Sequence, residues 1–270
     1  MTFKTTWIGF KLNISEVNKI VKFLLENPAV KISQKSISES INLRQQMVDS
    51  YIFWARYLGI IKKSGYELTE FGTLYKEIWS LEKDTIYEIL YYKTIVNNSF
   101  LNILINDIIF ERFLSYPRII EYNEIEQRLS NYMKEIHIKS FSELKKRKTL
   151  YINSLTDEEG FGELNILEKS NKKLKIKKHL PTWKGAYYIL VMNQIVQNNR
   201  NRIISVDSFL EMRNQIRRIF MLNEDDVYFI LDELISKHLI KREKASHFDQ
   251  IYIIDPIYCE KELIEVILEK

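Results

Sequence analysis

Two short acidic runs are the parts of this sequence with the chemistry to hold a metal ion. They are Asp157, Glu158 and Glu159, and Glu224, Asp225 and Asp226. Carboxylates are ligands that Mg²⁺ prefers, and a bound Mg²⁺ can activate water for phosphodiester cleavage. Such runs are also typical of a solvated loop and of a helix N-terminus, where the helix dipole favours negative charge. We therefore predict no metal site and no cofactor, and Mg²⁺ enters only if the chain nicks DNA.

Other arrangements typical of catalysis are missing from the sequence. The four histidines are far apart, and none lies at ligand spacing from a carboxylate or from the single cysteine, Cys259. The glycines of Gly160-Phe161-Gly162 lack the further glycine and the lysine of a phosphate-binding loop. The sequence alone therefore assigns no catalytic residue.

Basic side chains are concentrated between residues 137 and 221, which hold 17 basic and 8 acidic side chains. The candidates for nucleic-acid contact there are Lys145, Lys146, Arg147 and Lys148, then Lys173, Lys175 and Lys177, then Arg213, Arg217 and Arg218. Lysine and arginine neutralise phosphates, so this block predicts a face that meets a polyanion such as double-stranded DNA. The alternative is an ordinary solvated surface.

The spacing of apolar and basic residues predicts a different secondary structure for each basic group. Residues 145–148 precede an apolar helical pattern and are expected on a helix. Residues 172–178 alternate lysine with apolar residues, as a half-buried strand does, and lysine protection of a sheet edge is the structural alternative. Arg213 and Arg217 are four residues apart and are expected on one helical face.

A third group of candidates lies near the N-terminus. Arg44, Gln45 and Gln46 begin a predicted helix, and arginine and glutamine are able to read base edges through paired hydrogen bonds. Lys62 and Lys63 follow in a predicted hairpin and suit phosphates. The alternative is a protein-docking module, because this face carries few basic groups.

The elements that must position these residues resemble a winged helix-turn-helix. Ser15 is a plausible N-cap for a first helix, a short second helix spans about 33–41, and a third runs from about 44 to 58. The third helix is predicted to bury Val48, Ile52, Ala55 and Leu58, and Gly59 ends it. A small hairpin over 60–68 would be the wing, and Thr69 caps the next helix.

The C-terminal part repeats this order. Helical patterns over 183–196 and from Asn223 onward precede a hairpin over 239–254. We predict a mainly α fold with small β-hairpins, in which winged helix-turn-helix modules flank a helical middle. The predicted divisions are 1–80, 81–136 and 137–270. In the middle region Tyr91, Tyr92, Tyr116 and Tyr122 could stack on bases, but such spacing is more typical of a core.

Composition excludes several classes of protein. Only 7 glycines and 4 prolines among 270 residues exclude collagen-like and low-complexity chains. One cysteine excludes an internal disulfide framework. No apolar run approaches the roughly 18 residues that cross a bilayer, and no secretory signal begins the chain. We expect a cytoplasmic protein without membrane contact.

The sequence resembles a bacterial family known as domain of unknown function 4007. The resemblance rests on QMVDSYIFWARYLG at 46–59, LTEFG at 68–72, KTL at 148–150, GELNIL at 162–167 and QIRRIFML at 215–222. Members of that family occur in gene clusters of DNA phosphorothioation and phage defence, and one branch is described as nicking DNA. The resemblance implies a DNA-acting component of such a system.

The family's His-Glu-Thr-Phe signature is absent around residues 4–7, so the resemblance carries over no catalytic residue. Three hypotheses follow. The first is a DNA-binding component of a modification or defence complex, with other proteins of that complex as partners. The second is a metal-dependent nickase of such a system. The third is a winged-helix adaptor that docks proteins without DNA contact, and a homodimer is compatible with all three.

Overall fold

The computed structural model describes residues 9–28, 32–196, 203–255 and 257–269. Residues 4–7, where the sequence departs from the resembled family, lie outside this part. The described chain is mainly helical, with two small three-stranded antiparallel sheets. Within the described ranges, no helix has the length and apolar character needed to span a membrane.

The N-terminal unit comprises the described residues up to 80 and begins with three helices: α1 (Ile14–Glu26), α2 (Gln34–Ile41) and α3 (Gln45–Tyr57). The N-cap of α1 is Asn13 and not Ser15, because the Asn13 side chain accepts from the Glu16 N–H. The Ile14 N–H donates to the carbonyl of Glu159 at 2.8 Å, which fixes this earlier start. Ser33 caps α2, which agrees with the predicted span of about 33–41.

Helix α3 buries the residues predicted for it. Val48, Ile52, Ala55 and Leu58 are all buried against α1 and the rest of the core. Gly59 follows with φ of +72°, a left-handed conformation that favours glycine. The predicted third helix is therefore confirmed.

The wing predicted over residues 60–68 is shorter than expected. Its two arms share one bridge, between Ile61 and Leu68, and two backbone hydrogen bonds, from the Lys62 N–H to the Glu67 carbonyl at 2.8 Å and from the Thr69 N–H to the Ile60 carbonyl at 2.9 Å. Residues 62–65 are exposed, so no packing extends the two arms into strands. Thr69 caps the next helix as predicted, but that helix is divided into α4 (Glu70–Thr73) and α5 (Tyr75–Ile78).

The middle of the chain supplies the central helices: α6 (Lys83–Asn97), α7 (Ser99–Ile103) and α8 (Phe110–Phe113). A π-helical turn over Leu104–Ile109 joins α7 to α8. Tyr91 and Tyr92 are buried on α6, as expected of core residues. Tyr116 is 97% exposed, so its side chain is not part of the core.

The first sheet contains β1 (Ile119–Glu121), β2 (Leu167–Ser170) and β3 (Lys173–Ile176) in the order β1-β3-β2. Helices α9 (Tyr122–Ser130) and α10 (Phe141–Thr156) lie between β1 and β2 in the chain. The predicted alternation in β3 is confirmed, since Leu174 and Ile176 are buried and Lys173 and Lys175 exposed. The alternative that these lysines protect the edge of a sheet is wrong, because β3 is the central strand. The sheet joins residues on both sides of position 136, and the three predicted divisions stay a prediction.

The C-terminal part begins with α11 (Trp183–Val196) and continues as β4 (Ile203–Ser205), α12 (Val206–Glu211), α13 (Ile216–Ile219), α14 (Glu224–Ser236), β5 (Ile240–Ala245), β6 (Phe248–Ile253) and α15 (Glu260–Ile267). Asn223 and Asp226 cap α14 reciprocally, which confirms its predicted start. The predicted hairpin is β5-β6, and β4 adds to it in the order β4-β6-β5.

One buried ion pair joins four helices. The Lys93 ammonium on α6 lies 2.5 Å from Glu260 Oε1 at the start of α15 and 4.1 Å from the ring centroid of Phe71 on α4. The Tyr188 hydroxyl on α11 donates to the same Glu260 oxygen. Burial lowers the pKa of Lys93. The pair connects the N-terminal unit to the last helix through the central helices.

A second buried carboxylate, Glu88 on α6, holds the segment before α11. Its Oε1 accepts from the Thr182 N–H at 2.9 Å and lies 2.9 Å from His179 Nε2, while Oε2 accepts from the Thr182 hydroxyl at 2.6 Å. A Cβ on Gly185 would lie 2.1 Å from Oε2, so only glycine fits there. Burial raises the pKa of Glu88 even against these hydrogen bonds.

The raised pKa of Glu88 gives a pH-dependent prediction. The native state binds the proton of the Glu88 carboxyl more tightly than the unfolded chain does. The free energy of unfolding is therefore lost as pH rises above the ordinary pKa of 4.5 and through the higher native pKa. Glu88→Gln cannot ionise and is expected to gain stability relative to the unmodified chain over that window. The gain is about 1.4 kcal/mol for each factor of ten by which folding tightens proton binding. Thermal unfolding across this pH range measures it.

The control for that experiment removes the imidazole that contacts Glu88. The comparison is repeated in a His179→Gln background, where only the carboxyl of this pair titrates. A difference in melting temperature that stays constant with pH in both backgrounds would contradict the prediction.

Candidate nucleic-acid interface

Most of the predicted DNA-contacting cations are already paired inside the protein. Those with a carboxylate oxygen within 4.0 Å are Lys62, Lys145, Arg147, Lys148, Lys173, Lys177, Arg213, Arg217 and Arg218. A paired cation must give up its partner before it neutralises a phosphate, which reduces its contribution to DNA affinity. Basic composition between 137 and 221 therefore overstates the charge available at the surface.

The group at residues 145–148 lies on α10, as predicted, but its members do not share one face. Lys148 is 3% exposed, and its ammonium lies 2.5 Å from Glu126 Oε1 and over the ring of Tyr122. Arg147 pairs with Glu143 at 2.6 Å. Lys145 and Lys146 remain exposed. Four consecutive residues of a helix point in four directions, so half of this group faces inward.

The arginines near residue 215 are also arranged differently from the prediction. Arg213 lies in the turn between α12 and α13, so it does not share a helical face with Arg217. Arg213 pairs with Asp107 at 2.5 Å, and Arg217 is buried between Glu211 and Glu224. Arg218 donates to the Asn106 carbonyl at 3.0 Å. These arginines tie the C-terminal part to the π-helical turn.

Four predicted cations have no carboxylate within 4.0 Å in the described part of the chain, and all four are exposed: Arg44, Lys63, Lys146 and Lys175. Two of them, Arg44 and Lys63, belong to the N-terminal unit. Arg44 is the N-cap residue of α3, and Lys63 lies in the loop that follows this helix. Their charge is available to a ligand in solution.

Arg44 and the next two residues are exposed at the N-terminal end of α3, where their side chains spread around the end of the helix. Gln45 and Gln46 are both exposed, and Asp49 follows one turn later. Arg56 is a further residue of this region that the sequence did not single out. Its Nη2 donates to the Gly65 carbonyl at 3.0 Å, and its guanidinium lies over the Phe53 ring. Burial lowers the pKa of Arg56. Arg56 thus fixes the loop that carries Lys63 against α3. The sequence signal that could have identified Arg56 was its helical spacing from Asp49.

The first acidic run is neutralised by a lysine. Lys11 Nζ lies 2.9 Å from Asp157 Oδ2 and 3.0 Å from Glu159 Oε2. These hydrogen bonds raise the pKa of Lys11. No sequence signal could have found this partner, since Lys11 lies more than half the chain length away from Asp157.

The second acidic run caps α14. Asp226 accepts from the Asn223 N–H and pairs with Lys178 at 2.7 Å, which together hold its pKa below the usual range despite partial burial. Glu224 pairs with Arg217 at 3.1 Å. Within the described ranges, no group of three or more His, Cys, Asp or Glu side chains is placed to hold a metal ion.

The exposed face of α14 is acidic and not basic. Asp225 and Asp232 are exposed on it, and Phe229 between them is 59% exposed. Carboxylates repel phosphates, so this helix is unsuited to DNA contact. The two ends of the chain thus present surfaces of different chemistry.

Comparison with known proteins identifies the fold. No family model matches the chain, and no curated protein matches it. A magnesium-bound SspB crystal structure matches with a TM-score of 0.71 and 10% identity, over 96% of this chain and 86% of that chain. A second SspB crystal structure matches with a TM-score of 0.68 and 11% identity, over the same shares. At this identity the likeness establishes a shared fold over nearly the whole chain.

Proposed function

We propose that this chain is a DNA-binding component of a bacterial system of DNA phosphorothioation or phage defence. The shared fold supports the setting, because SspB is a phosphorothioation-system protein. The family resemblance of the sequence points to the same setting. The single observation that carries DNA binding is the exposed group of Arg44, Gln45 and Gln46 at the start of α3, which lies on the helix to which Arg56 fixes the loop that carries Lys63.

Both ends of the chain have an element order consistent with a winged helix. In the N-terminal unit α1, α2 and α3 precede a short loop closed by one bridge. In the C-terminal part α11, β4, α12, α13, α14, β5 and β6 follow one another. The strand order β4-β6-β5 places the hairpin beside the early strand. In such modules the third helix reads the ligand. We assign α3 to DNA and the acidic α14 to a protein of the complex.

The roles at the DNA interface follow from side-chain chemistry. Arg44 and Lys63 neutralise phosphates on either side of the helix and fix its position on the duplex. Gln45 and Gln46 each offer a donor and an acceptor and contact base edges in the major groove. Lys145 and Lys146 are exposed on α10 and add a secondary phosphate contact. Lys148 and Arg217 are buried, and we leave them out of the interface.

Replacing both glutamines tests the assignment of base reading. Gln45→Ala/Gln46→Ala is expected to lower the affinity for the preferred sequence by about 1–3 kcal/mol for each lost bidentate contact, and to change affinity for other sequences little. Selection from a random duplex library, followed by binding isotherms on the selected and a scrambled site, measures the change. A variant with unchanged preference would show that these glutamines do not read bases.

Supercoiled plasmid separates the three hypotheses. Incubated with the protein, with and without Mg²⁺ or Mn²⁺, the plasmid is expected to be retarded in a gel and to stay supercoiled after the protein is removed. Relaxed circles that form only with metal would favour the nickase, and an unretarded plasmid would favour the adaptor. Sedimentation of the free protein, in parallel, tests the homodimer.

Metal-dependent cleavage has no ligand set in the described residues. One of the SspB structures holds a magnesium ion. In this chain Lys11 occupies the position between Asp157 and Glu159 that a cation would need. At the start of α14, Asp226 is engaged by the Asn223 N–H and Lys178, and Glu224 by Arg217. These residues do not fit a magnesium site, so we propose binding without cleavage.

A further inference from the structure

A cavity beside the first sheet has features of an anion-binding site. This cavity lies outside the proposed DNA contact at α3, and the family resemblance assigns it no role. Its volume is about 480 Å³, within the size range of small-ligand sites. The lining residues run from Phe113 to Ile119 and include Lys175 and Ile176 of β3. The lining contains two cations, Arg118 and Lys175, and no carboxylate.

The guanidinium of Arg118, which lines this cavity, is held in place by contacts that include no carboxylate. The Arg118 guanidinium lies 4.1 Å from the ring centroid of Phe113, and its Nε donates to the Phe113 carbonyl at 3.2 Å. Its Nη2 lies 3.4 Å from the side-chain oxygen of Asn223. No carboxylate of the described chain lies within 4.0 Å of it. Asp226 is near enough for the charge of Arg118 to contribute to lowering its pKa, but the carboxylate itself is bound by Lys178 and by the Asn223 N–H. A guanidinium that is held in place with no carboxylate in contact is preorganised for a phosphate.

Lys175 supplies the second charge at this cavity. It lies opposite Ile119 of β1 and Glu168 of β2 in the sheet. The Glu168 carboxylate is held by Lys177 at 2.7 Å, and Glu121 on β1 is held by Lys173 at 3.0 Å. Lys177 is the main cause of the lowered pKa of Glu168, and Lys175 contributes to it through its charge alone. No carboxylate of the described chain lies within 4.0 Å of Lys175, so its ammonium is open to a ligand.

Apolar surface surrounds these two charges. Tyr116 is 97% exposed, Leu114 is 57% exposed, and Ile119 is also exposed. A ring exposed at a loop tip beside arginine and lysine is the combination with which proteins stack bases of unpaired nucleic acid while binding its backbone. Charge complementarity and ring geometry thus point to one occupant.

We infer that this cavity binds a nucleotide of a DNA strand that has left the duplex. Its phosphate contacts Arg118 and Lys175, and its base stacks on Tyr116. The inference rests on the proposed function for its biological setting, but its ligand differs, because α3 contacts duplex DNA and this cavity contacts a single strand.

Binding of a fluorescein-labelled oligothymidylate of about 12 nucleotides, followed by fluorescence anisotropy, tests the inference. Tyr116→Ala is expected to weaken binding about tenfold, while Tyr116→Phe keeps the ring and binds as the unmodified chain does. Arg118→Ala and Lys175→Ala are each expected to weaken binding about tenfold and to flatten its salt dependence. Phe229→Ala, which removes another exposed ring, is the matched control and is expected to bind normally.

The outcomes distinguish this inference from the proposed function. The inference is overturned if the oligothymidylate binds Tyr116→Ala and Arg118→Ala as well as it binds the unmodified chain. It is also overturned if the oligothymidylate does not bind the unmodified chain, which is the result expected if the loop docks a protein. Duplex DNA measured with the same proteins reports on α3 instead. Loss of duplex binding in Arg44→Ala with intact single-strand binding would leave the cavity assignment standing.

Discussion

Glu260→Ala is expected to lower the free energy of unfolding by about 3–5 kcal/mol, because it leaves the Lys93 ammonium buried without its counterion. Lys93 is 7% exposed and enclosed by Phe71, Tyr188 and Glu260. Desolvation of the unpaired ammonium supplies most of this cost. Denaturant unfolding measures it as a lower midpoint at an unchanged slope.

Two control variants isolate the buried charge as the cause. Glu265→Ala removes a carboxylate from the same helix, where its partner Lys261 is exposed, and is expected to cost less than about 0.5 kcal/mol. Lys93→Met in the Glu260→Ala background removes the stranded ammonium and is expected to recover much of the loss. Equal losses for Glu260→Ala and Glu265→Ala would contradict the account.

Arg44→Ala/Lys63→Ala is expected to weaken duplex DNA binding by roughly 50- to 100-fold near 0.1 M salt. Each lost phosphate contact retains about 0.9 of a counterion on the DNA, which is worth nearly tenfold in affinity at this salt concentration. Both side chains are exposed and unpaired, so their removal leaves the fold unchanged. Anisotropy titration of a labelled duplex, at fixed salt, measures the loss.

The matched control removes two charges from another face of the same unit. Lys22 on α1 and Lys76 on α5 are exposed and line a cavity on which α3 has no residue. Lys22→Ala/Lys76→Ala changes the net charge equally and is expected to weaken binding by less than about threefold, through the long-range field alone. Equal losses in the two double variants would mean that binding follows net charge and not contact with the start of α3 and the loop after it.

Local sequence signals predicted the helices of the N-terminal unit and the start of α14. The apolar spacing of Val48, Ile52 and Ala55 requires one buried helical face, and Asn223 with Asp226 supplies a reciprocal cap. Both depend on residues a few positions apart. The error at the α1 cap arose because the contact that fixes the start of that helix comes from Glu159, far along the chain.

The candidate site was less predictable, because exposure of a cation depends on partners distant in sequence. Lys148 looked like its neighbours in a run of four, but Glu126 and Tyr122 enclose it. Lys173 and Lys175 alternate as predicted, but whether β3 was central or at an edge depended on β1, more than fifty residues earlier. Arg44 and Lys63 are distinguished only by the absence of partners in the described structure.

The salt dependence of duplex affinity tests the central claim, that α3 and its loop are the DNA contact, most directly. For the unmodified chain, the logarithm of affinity is expected to fall linearly with the logarithm of salt concentration. Arg44→Ala/Lys63→Ala is expected to reduce that slope by about 1.8, while Lys22→Ala/Lys76→Ala leaves it unchanged. A slope unaltered by Arg44→Ala/Lys63→Ala, but flattened by Lys145→Ala/Lys146→Ala, would place the duplex on α10 and contradict the account.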